Sequence, residues 1–340
     1  MRTATSLRQR VPPILGVFLG TFGMVACGDT SSVDLLSIDA VGTVTAKLVL
    51  DSDGNGGANQ TDPPLEGWTV ELAQPAGGTV VTGLTDADGS VLFSDVPVGL
   101  LVPALSPGDM GDTLSLIPST AQAFTLEAGD QVTVSPVVTL PFFTLAEARD
   151  LPPGKPLFVE GTTLNTFPTT GERNLHLKSG GSYIRVLSVD SGTVALGDSV
   201  RVRARTSISE GVPTLDGKMV YRLGSATATP VPVDLTTGEA AGARGGALDA
   251  ALVKVSTADI IEVLDEEDEG VILVVDDGSG LLTIRLRSFL DPDPDSIDPE
   301  TEELESGVGL LVPVRVGAAV VWELQPRSIQ EVSFSDVPTG

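Results

Sequence analysis

Short alternations of apolar and polar residues, broken every few residues by Gly, Pro, Asp or Asn, limit the folds open to this chain more than any other feature. In the segment GWTVELAQ, Trp68, Val70 and Leu72 fall on one face of a strand, because successive side chains point to opposite faces of a sheet. The chain holds 38 glycines and 24 prolines and is rich in Val and Thr, which favours short strands and many turns over long helices. The sequence therefore predicts an all-β protein.

Strand and turn signals group residues 41–145 into one predicted domain. The segments GTVTAKLVL, GTVVTGLT and GSVLFSDV have strand composition. The turn TDADG joins the last two, since Asp and Gly tolerate the backbone angles of a tight reversal. Residues 146–156 contain prolines and a glycine that end the preceding strands, so we predict a linker there.

The loop DSDGNGGANQTD, residues 51–62, carries oxygen side chains at the spacing of a twelve-residue calcium loop. Such a loop has side-chain oxygens at positions 1, 3 and 5, Gly at position 6 and a closing carboxylate at position 12. The side-chain oxygens here come from Asp51, Asp53, Asn55 and Asp62. We predict that these four residues bind a structural Ca²⁺ ion. A solvated loop of Asp, Asn and Gly is the alternative, because Asp is shorter than the usual Glu at position 12.

Two segments of this domain resemble the B-type repeats of serine-aspartate adhesins and the related carboxypeptidase-regulatory-like domains. They are DSDGNGGANQTDPPLEGWTVEL and TDADGSVLFSDVPVGLLV. Val91 and Val98 replace the Tyr and Pro that are commoner in that pattern. The resemblance implies that residues 41–145 form a prealbumin-like β-sandwich with an acidic loop between two strands.

Residues 157–334 contain a weak internal duplication. The segment KSGGSYIRVLS at 178–188 is comparable to DDGSGLLTIRLRS at 276–288. Each half is predicted to have about five strands: a long first strand, a hairpin over a Gly-Ser turn, and two more strands. This order resembles the tandem OB-fold domains of bacterial secreted proteins. The resemblance implies two OB-like β-barrels, at 157–229 and 230–340, of a fold that often binds oligonucleotides or sugars. The predicted architecture is thus an N-terminal β-sandwich followed by two OB-like β-barrels.

The N-terminus has the composition of an export signal. Arg2, Arg8 and Arg10 form a positive segment, and an apolar run follows at 14–26. That run is shorter than the roughly 20 residues that span a bilayer and fits the hydrophobic region of a signal peptide.

The sequence motif MVAC, which ends at Cys27, resembles a bacterial lipobox, although Met24 occupies the position where Leu is usual. We predict a lipoprotein signal peptide at 1–26, lipidation of Cys27 and a tether at 27–40, so that the lipid attaches the protein to a membrane. Gly28 rather than Asp follows the cysteine, which favours an outer-membrane lipoprotein of the cell envelope, periplasmic or surface-exposed. A plain signal peptide with an incidental cysteine is the alternative.

The charge balance disfavours nucleic acid as a partner. Asp and Glu number 46 against 20 Lys and Arg, so the chain of net charge −26 repels phosphate backbones and attracts divalent cations. Five arginines nevertheless alternate along predicted strands: Arg185, Arg201, Arg203, Arg205 and Arg285. Single-strand binders also need aromatic platforms, and Tyr183 and Tyr221 are the only tyrosines. We expect these arginines to pair with neighbouring acids and nucleic-acid binding to be absent.

The sequence offers little to an enzyme mechanism. His176 is the only histidine and falls within a strand, where a structural role is expected. A second acidic segment, DPDPDSIDPETE at 291–302, has Ser296 where a calcium loop needs Gly and is predicted to be a solvated excursion. We therefore expect a non-enzymatic binding or scaffold protein, with a surface protein or polysaccharide as possible partner. The alternative is an accessory or degenerate hydrolase acting on extracellular DNA or surface polysaccharide.

Overall fold

Alternating segments of the sequence form strands in which every second side chain is buried. The first strand, β1 (Val41–Lys47), buries Val44 and Ala46 completely while Thr43 and Thr45 face partly outward. Val70 and Leu72 are likewise buried with Trp68 packed beside them, as the period of two predicted. The all-β class is confirmed.

The computed structural model describes residues 40–111, 113–167, 173–190, 192–226, 228–266 and 270–336. The predicted signal peptide, the predicted lipidation residue Cys27 and the predicted tether up to residue 39 lie outside these described residues. Ala40–Gly340 forms one compact unit. In the described part of the chain, the helices are too short or too polar to cross a membrane.

The first module is a β-sandwich. Its strands after β1 are β2 (Val49–Asp51), β3 (Thr69–Ala73), β4 (Thr79–Leu84), β5 (Ser90–Pro97), β6 (Gly99–Leu105), β7 (Ser115–Leu116), β8 (Phe124–Leu126), β9 (Gln131–Val134) and β10 (Val137–Thr139), with a short helix α1 (Pro107–Met110). One layer has the orders β5-β1-β9 and β2-β10-β7, and the other has the order β4-β3-β6-β8. A single apolar cluster that includes Val44, Leu72, Phe93 and Val138 fills the space between them.

Two five-stranded barrels follow. The first consists of β12 (Pro156–Thr163), β13 (Leu175–Ser179), β14 (Ser182–Leu187), β15 (Ser199–Ser209) and β16 (Val212–Gly224). The second consists of β18 (Leu252–Glu266), β19 (Gly270–Asp276), β20 (Leu282–Arg287), β21 (Glu302–Val316) and β22 (Ala319–Gln325), with β23 (Val332–Asp336) added beside β21. We call them barrel 1 and barrel 2.

Both barrels close with the same connectivity. The order in barrel 1 is β12-β13-β14-β16-β15, and β15 pairs back onto β12. The order in barrel 2 is β18-β19-β20-β22-β21, and β21 pairs back onto β18. In each barrel the third and fifth strands are parallel and all other neighbours are antiparallel. The predicted all-β class, with a β-sandwich followed by two closed barrels, is therefore confirmed, and the OB-like identity of these barrels stays a prediction.

The structural repeat begins earlier in the chain than the sequence indicated. A short strand and a helix precede each barrel: β11 (Phe142–Phe143) and α2 (Leu145–Asp150), then β17 (Val233–Asp234) and α3 (Thr237–Ala241). Each short strand pairs in parallel with the first strand of its barrel. The predicted linker at 146–156 thus contains most of helix α2, because Leu145 and Ala148 are buried in the core of barrel 1.

A buried polar cluster lies where the two barrels meet. The Asp249 carboxylate accepts a hydrogen bond from Trp322 Nε1 at 3.0 Å, and Arg149 Nη1 and Arg185 Nε each lie 3.9 Å from one of its oxygens. Arg149 also donates to the carbonyl oxygens of Tyr183 and Gly246, at 2.9 Å each. Barrel 1 and barrel 2 are thereby joined by charge as well as by apolar contact.

Candidate metal centre and its contact with barrel 1

The acidic loop leaves the sandwich at the end of β2 and returns within hydrogen-bonding reach of it. Leu50 N donates to Pro63 O at 3.0 Å, and Val49 forms an isolated bridge with Pro64. These contacts close the base of the loop, so that its first and last carboxylates, Asp51 and Asp62, are held near one another.

Three of the four predicted ligands are aspartates, and the structure places their carboxylates close together. One oxygen atom from each of Asp51, Asp53 and Asp62 can be chosen so that all three lie within 4.8 Å of one another. Asp51 is 1% exposed and Asp62 is 7% exposed. Carboxylates are seldom this buried without a partner, so the arrangement needs a source of positive charge or hydrogen bonds.

Backbone amides of the loop supply part of that need. Asp51 accepts hydrogen bonds from the amides of Asn55 and Gly56, at 3.0 Å each. Asp62 accepts from the amides of Ser52 and Asn59, at 2.9 Å each. These bonds fix the direction of both carboxylates, because each is held through its two oxygens.

The two asparagines of the loop take different positions. Asn55 Nδ2 donates to Asp53 Oδ2 at 3.0 Å, and its Oδ1 accepts from the amide of Gly57 at 2.9 Å. Asn59 Nδ2 also reaches Asp53 Oδ2, at 3.2 Å. The fourth predicted ligand, Asn55, therefore lies beside the carboxylates, with its oxygen engaged by the loop backbone. Asn59, at position 9 of the loop, is a polar neighbour that the predicted ligand set omitted.

Burial and mutual repulsion disfavour the charged form of the carboxylates in this cluster. Burial raises the pKa of the Asp51 carboxyl above its ordinary value, and the neighbouring Asp53 carboxylate adds to the rise through a hydrogen bond and its charge. The amides of Gly56 and Asn55 act in the opposite direction but do not cancel the rise. A cation among these oxygens would remove the repulsion.

The donor set fits a hard divalent cation. Carboxylate, amide and carbonyl oxygens are the ligands that Ca²⁺ prefers, in a flexible shell of six to eight. Nitrogen or sulfur donors, which Zn²⁺ prefers, are not available to the loop from the described residues, because His176 is buried in barrel 1. Calcium binding by the loop stays a prediction with a chemically suitable set of residues.

Side chains of barrel 1 bind backbone carbonyl groups of the same loop. Tyr221 OH on β16 donates to Ser52 O at 2.8 Å. Arg201 Nη1 on β15 contacts Gly54 O and lies 3.4 Å from Asp53 O. The carbonyls of three consecutive loop residues are thus held by two side chains of barrel 1.

Gly54 makes this close approach possible. Its φ of +71° is in the left-handed region, and a Cβ there would lie 2.9 Å from Arg201 Cδ and 3.0 Å from Phe142 Cζ. The Arg201 guanidinium also lies 5.0 Å from the centre of the Phe142 ring and pairs with Glu160 at 2.6 Å. A larger residue at position 54 would be strained at this φ and would force the loop or the Arg201 and Phe142 side chains to shift.

The remaining residues singled out in the sequence have structural surroundings. His176 lies on β13, is 3% exposed, and places Nδ1 3.4 Å from Ala250 O. Arg285 pairs with Glu323 and Glu266, at 2.8 Å in both cases. Arg205 donates to Gly154 O, at 3.1 Å. Arg203 lies on the outward face of β15, half-buried.

Comparisons with known proteins do not assign a family to this chain. No protein-family model matches the chain, and no curated protein matches it. Among solved structures, the shaft pilin SpaA of Lactobacillus rhamnosus GG matches at 11% identity with a TM-score of 0.24, over 56% of this chain and all of the pilin. A murine DNA-binding protein bound to double-stranded DNA matches at 10% identity with a TM-score of 0.28, over 54% of this chain and 99% of that one.

The major pilin SpaD of Corynebacterium diphtheriae matches at 10% identity with a TM-score of 0.23, over 50% of this chain and 39% of the pilin. Scores this low carry no argument about what the protein binds or does.

Proposed function

We propose that this protein is a lipid-anchored scaffold and binding protein of the bacterial cell envelope without enzymatic activity. In this proposal Cys27 carries the lipid, the calcium-stabilised sandwich supports the barrels, and the two barrels present a ligand-binding surface. The supporting observation is that side chains of barrel 1 hold the carbonyls of the acidic loop, with Tyr221 OH at 2.8 Å from Ser52 O. Order in the loop is therefore linked to order between modules.

The residues that would hold the cation are Asp51, Asp53 and Asp62, with Asn55 beside them. A bound Ca²⁺ ion supplies positive charge that offsets the repulsion between these carboxylates. The chain itself contributes the rest: amides orient Asp51 and Asp62, and Arg201 and Tyr221 fix the intervening backbone. Because the predicted lipid would use Cys27, the only cysteine in the chain, a cation is a suitable means to tie this long loop.

Thermal unfolding with and without calcium tests the proposed brace. Calcium should raise the melting temperature, because a ligand that binds only the folded state stabilises it by about 2.7 kcal/mol at one hundred times its Kd. Asp51→Asn should remove most of that increase. Asp88→Asn is the matched control, since Asp88 is an exposed residue of the TDADG turn and should leave the calcium effect intact. Equal melting temperatures in calcium and in EDTA would contradict the brace.

Binding and anchoring are tested on the membrane-extracted protein. Mass spectrometry should show an acylated Cys27 as the first residue, and an unprocessed N-terminus would exclude the anchor. Immobilised protein should capture a surface polysaccharide or protein from an envelope extract, with weak binding to single-stranded DNA at physiological salt. Hydrolysis of any of these polymers during the incubation would exclude a purely non-enzymatic role.

A further inference from the structure

The outer face of barrel 2 carries a groove of about 670 Å³ that the scaffold role leaves unused. Its floor is formed by side chains of β20, β21 and β22, including Arg285 and Glu323. One wall comes from the tip of the β15–β16 hairpin of barrel 1, where Glu210 lines the groove. The volume is within the range of small-molecule sites in proteins.

The floor of the groove is rigid. Arg285 Nε and Nη2 donate to the two oxygens of Glu323, at 2.8 and 3.2 Å, and Nη1 donates to Glu266 at 2.8 Å. Glu323 is 6% exposed, so this two-point ion pair is shielded from solvent. A ligand would meet a fixed surface here, and Arg285 has little capacity left to bind it.

Two further arginines face the same groove without an acidic partner. Arg287 Nε donates to Gln325 Oε1 at 3.3 Å. Arg315 is exposed beside the hairpin tip, with Nη2 3.2 Å from where a Cβ on Gly211 would lie. Within the described residues, no carboxylate lies within 4.0 Å of either guanidinium. Both can therefore pair with an anionic ligand.

The rim of the groove also offers an apolar platform and a hydrogen-bond acceptor. Phe289 is 46% exposed and lines the groove two residues after Arg287 in the sequence. The Glu210 carboxylate is exposed and also lines the groove. Aromatic rings stack on the CH faces of sugars, carboxylates accept from hydroxyls, and guanidinium groups bind carboxylates.

We infer that this groove binds an acidic saccharide, with its carboxylate on Arg287 and Arg315, its ring against Phe289 and its hydroxyls toward Glu210. The inference rests on the proposed function, for which it names the ligand class of the barrels. An acidic saccharide suits this surface better than a nucleic acid does, because each of its rings also carries several hydroxyl groups from which the Glu210 carboxylate can accept hydrogen bonds.

Titration calorimetry with the galacturonic acid trimer tests the inference. The mature protein, at one fixed calcium concentration, should bind the trimer. The affinity for the methyl-esterified trimer should be lower by a factor of about ten or more, because its carboxylates are masked. Arg287→Gln and Arg315→Gln should each weaken trimer binding by a similar factor. Arg205→Gln, an exposed arginine outside the groove, is the control and should bind as the wild type does.

Four outcomes would overturn the inference: no binding of the trimer, equal binding of its methyl ester, unchanged binding in both groove variants, or tighter binding of single-stranded DNA of equal charge. Circular dichroism and melting temperature of each variant identify any that misfolds, and Phe289→Ala provides an independent groove variant. Failure here differs from failure of the proposed function. If the Arg287→Gln, Arg315→Gln double variant still captures the envelope ligand of the wild type, the binding role stands and the groove is not its site.

Discussion

At the scale of single residues, burial decides what His176 can do. The imidazole is 3% exposed in a site that also holds the Arg185 guanidinium, and burial followed by that positive charge lowers its pKa to about 3. A histidine held neutral over the physiological range and closed off from solvent cannot exchange protons with a substrate at the surface. Its role is to fill the contact between β13 and the carbonyl of Ala250.

This burial makes stability depend on pH in a defined window. The unfolded chain binds a proton at His176 near its ordinary pKa of 6.5, and the folded chain does so only near 3. The histidine contribution is therefore complete above pH 6.5 and is lost as pH falls toward 3, by at most about 1.4 kcal/mol per pH unit. Urea unfolding should show this decline between pH 6.5 and 5, and His176→Asn should remove it.

The neighbouring groups allow the histidine effect to be separated. Burial raises the pKa of the Asp249 carboxyl despite the opposing charge of Arg185, so its protonation favours the folded state as pH falls. That effect has the opposite sign and stays in the variant. An identical pH slope in the wild type and in His176→Asn would show that His176 does not titrate as described.

At the scale of elements, two short helices are set by the same local motif. Thr144 and Glu147 form a capping box at the start of α2, and Thr236 and Glu239 form one at the start of α3. The Thr-x-x-Glu spacing was visible in the sequence at both places. At the first of these places, the prolines and glycine that follow the motif favour a linker instead. Each helix follows a short strand, so strand, cap and helix belong to the repeated unit.

Removal of a cap should have a small and measurable cost. Thr144→Ala leaves the amide of Glu147 without its acceptor, which is expected to lower the free energy of unfolding by about 1 kcal/mol. Thr144→Ser keeps a hydroxyl at the same place and should retain most of the stability. Urea unfolding of the two variants measures the difference. Equal stability would mean that packing of Leu145 and Ala148 alone holds the helix.

At the scale of the whole molecule, a few polar groups add to the apolar contact between the modules. Asp249 is completely buried between two arginines, and Arg185 is 5% exposed. Arg185 Nε and Asp249 Oδ2 make no hydrogen bond in the described structure, so the cluster depends on charge and on the bond from Trp322 Nε1. Loss of the carboxylate would leave buried positive charge without compensation.

Asp249→Ala should therefore destabilise the protein strongly, by roughly 3–5 kcal/mol, as expected when one partner of a buried ion pair is removed. Asp190→Ala is the matched control. It breaks the exposed pair with Lys218, whose side chains are 61% and 53% exposed, and such pairs contribute about 1 kcal/mol or less. Differential scanning calorimetry should show a much larger drop in melting temperature for Asp249→Ala. Similar drops for both variants would mean that the cluster does not hold the barrels together.

The sequence by itself determined the features that depend on neighbours along the chain. The period of two specified the strands, the Gly-Ser turns specified the hairpins β13–β14 and β19–β20, and the spacing of Asp51, Asp53 and Asp62 indicated which oxygens would meet. The duplicated strand order likewise indicated two similar barrels before any pairing was known. Each of these is local, because the geometry of a strand or a twelve-residue loop is set within that segment.

The tertiary structure alone decided which faces meet. Tyr221 forms a hydrogen bond with Ser52, 169 residues away in the sequence, and Arg149 forms one with Gly246, 97 residues away. The groove likewise combines Glu210 of barrel 1 with the outer face of barrel 2. The alternation along a strand shows that an arginine side chain points outward. The same alternation holds for every outward arginine, so it does not show what the side chain contacts. Whether it pairs with an acid, holds a loop carbonyl or faces an open groove depends on packing between distant segments.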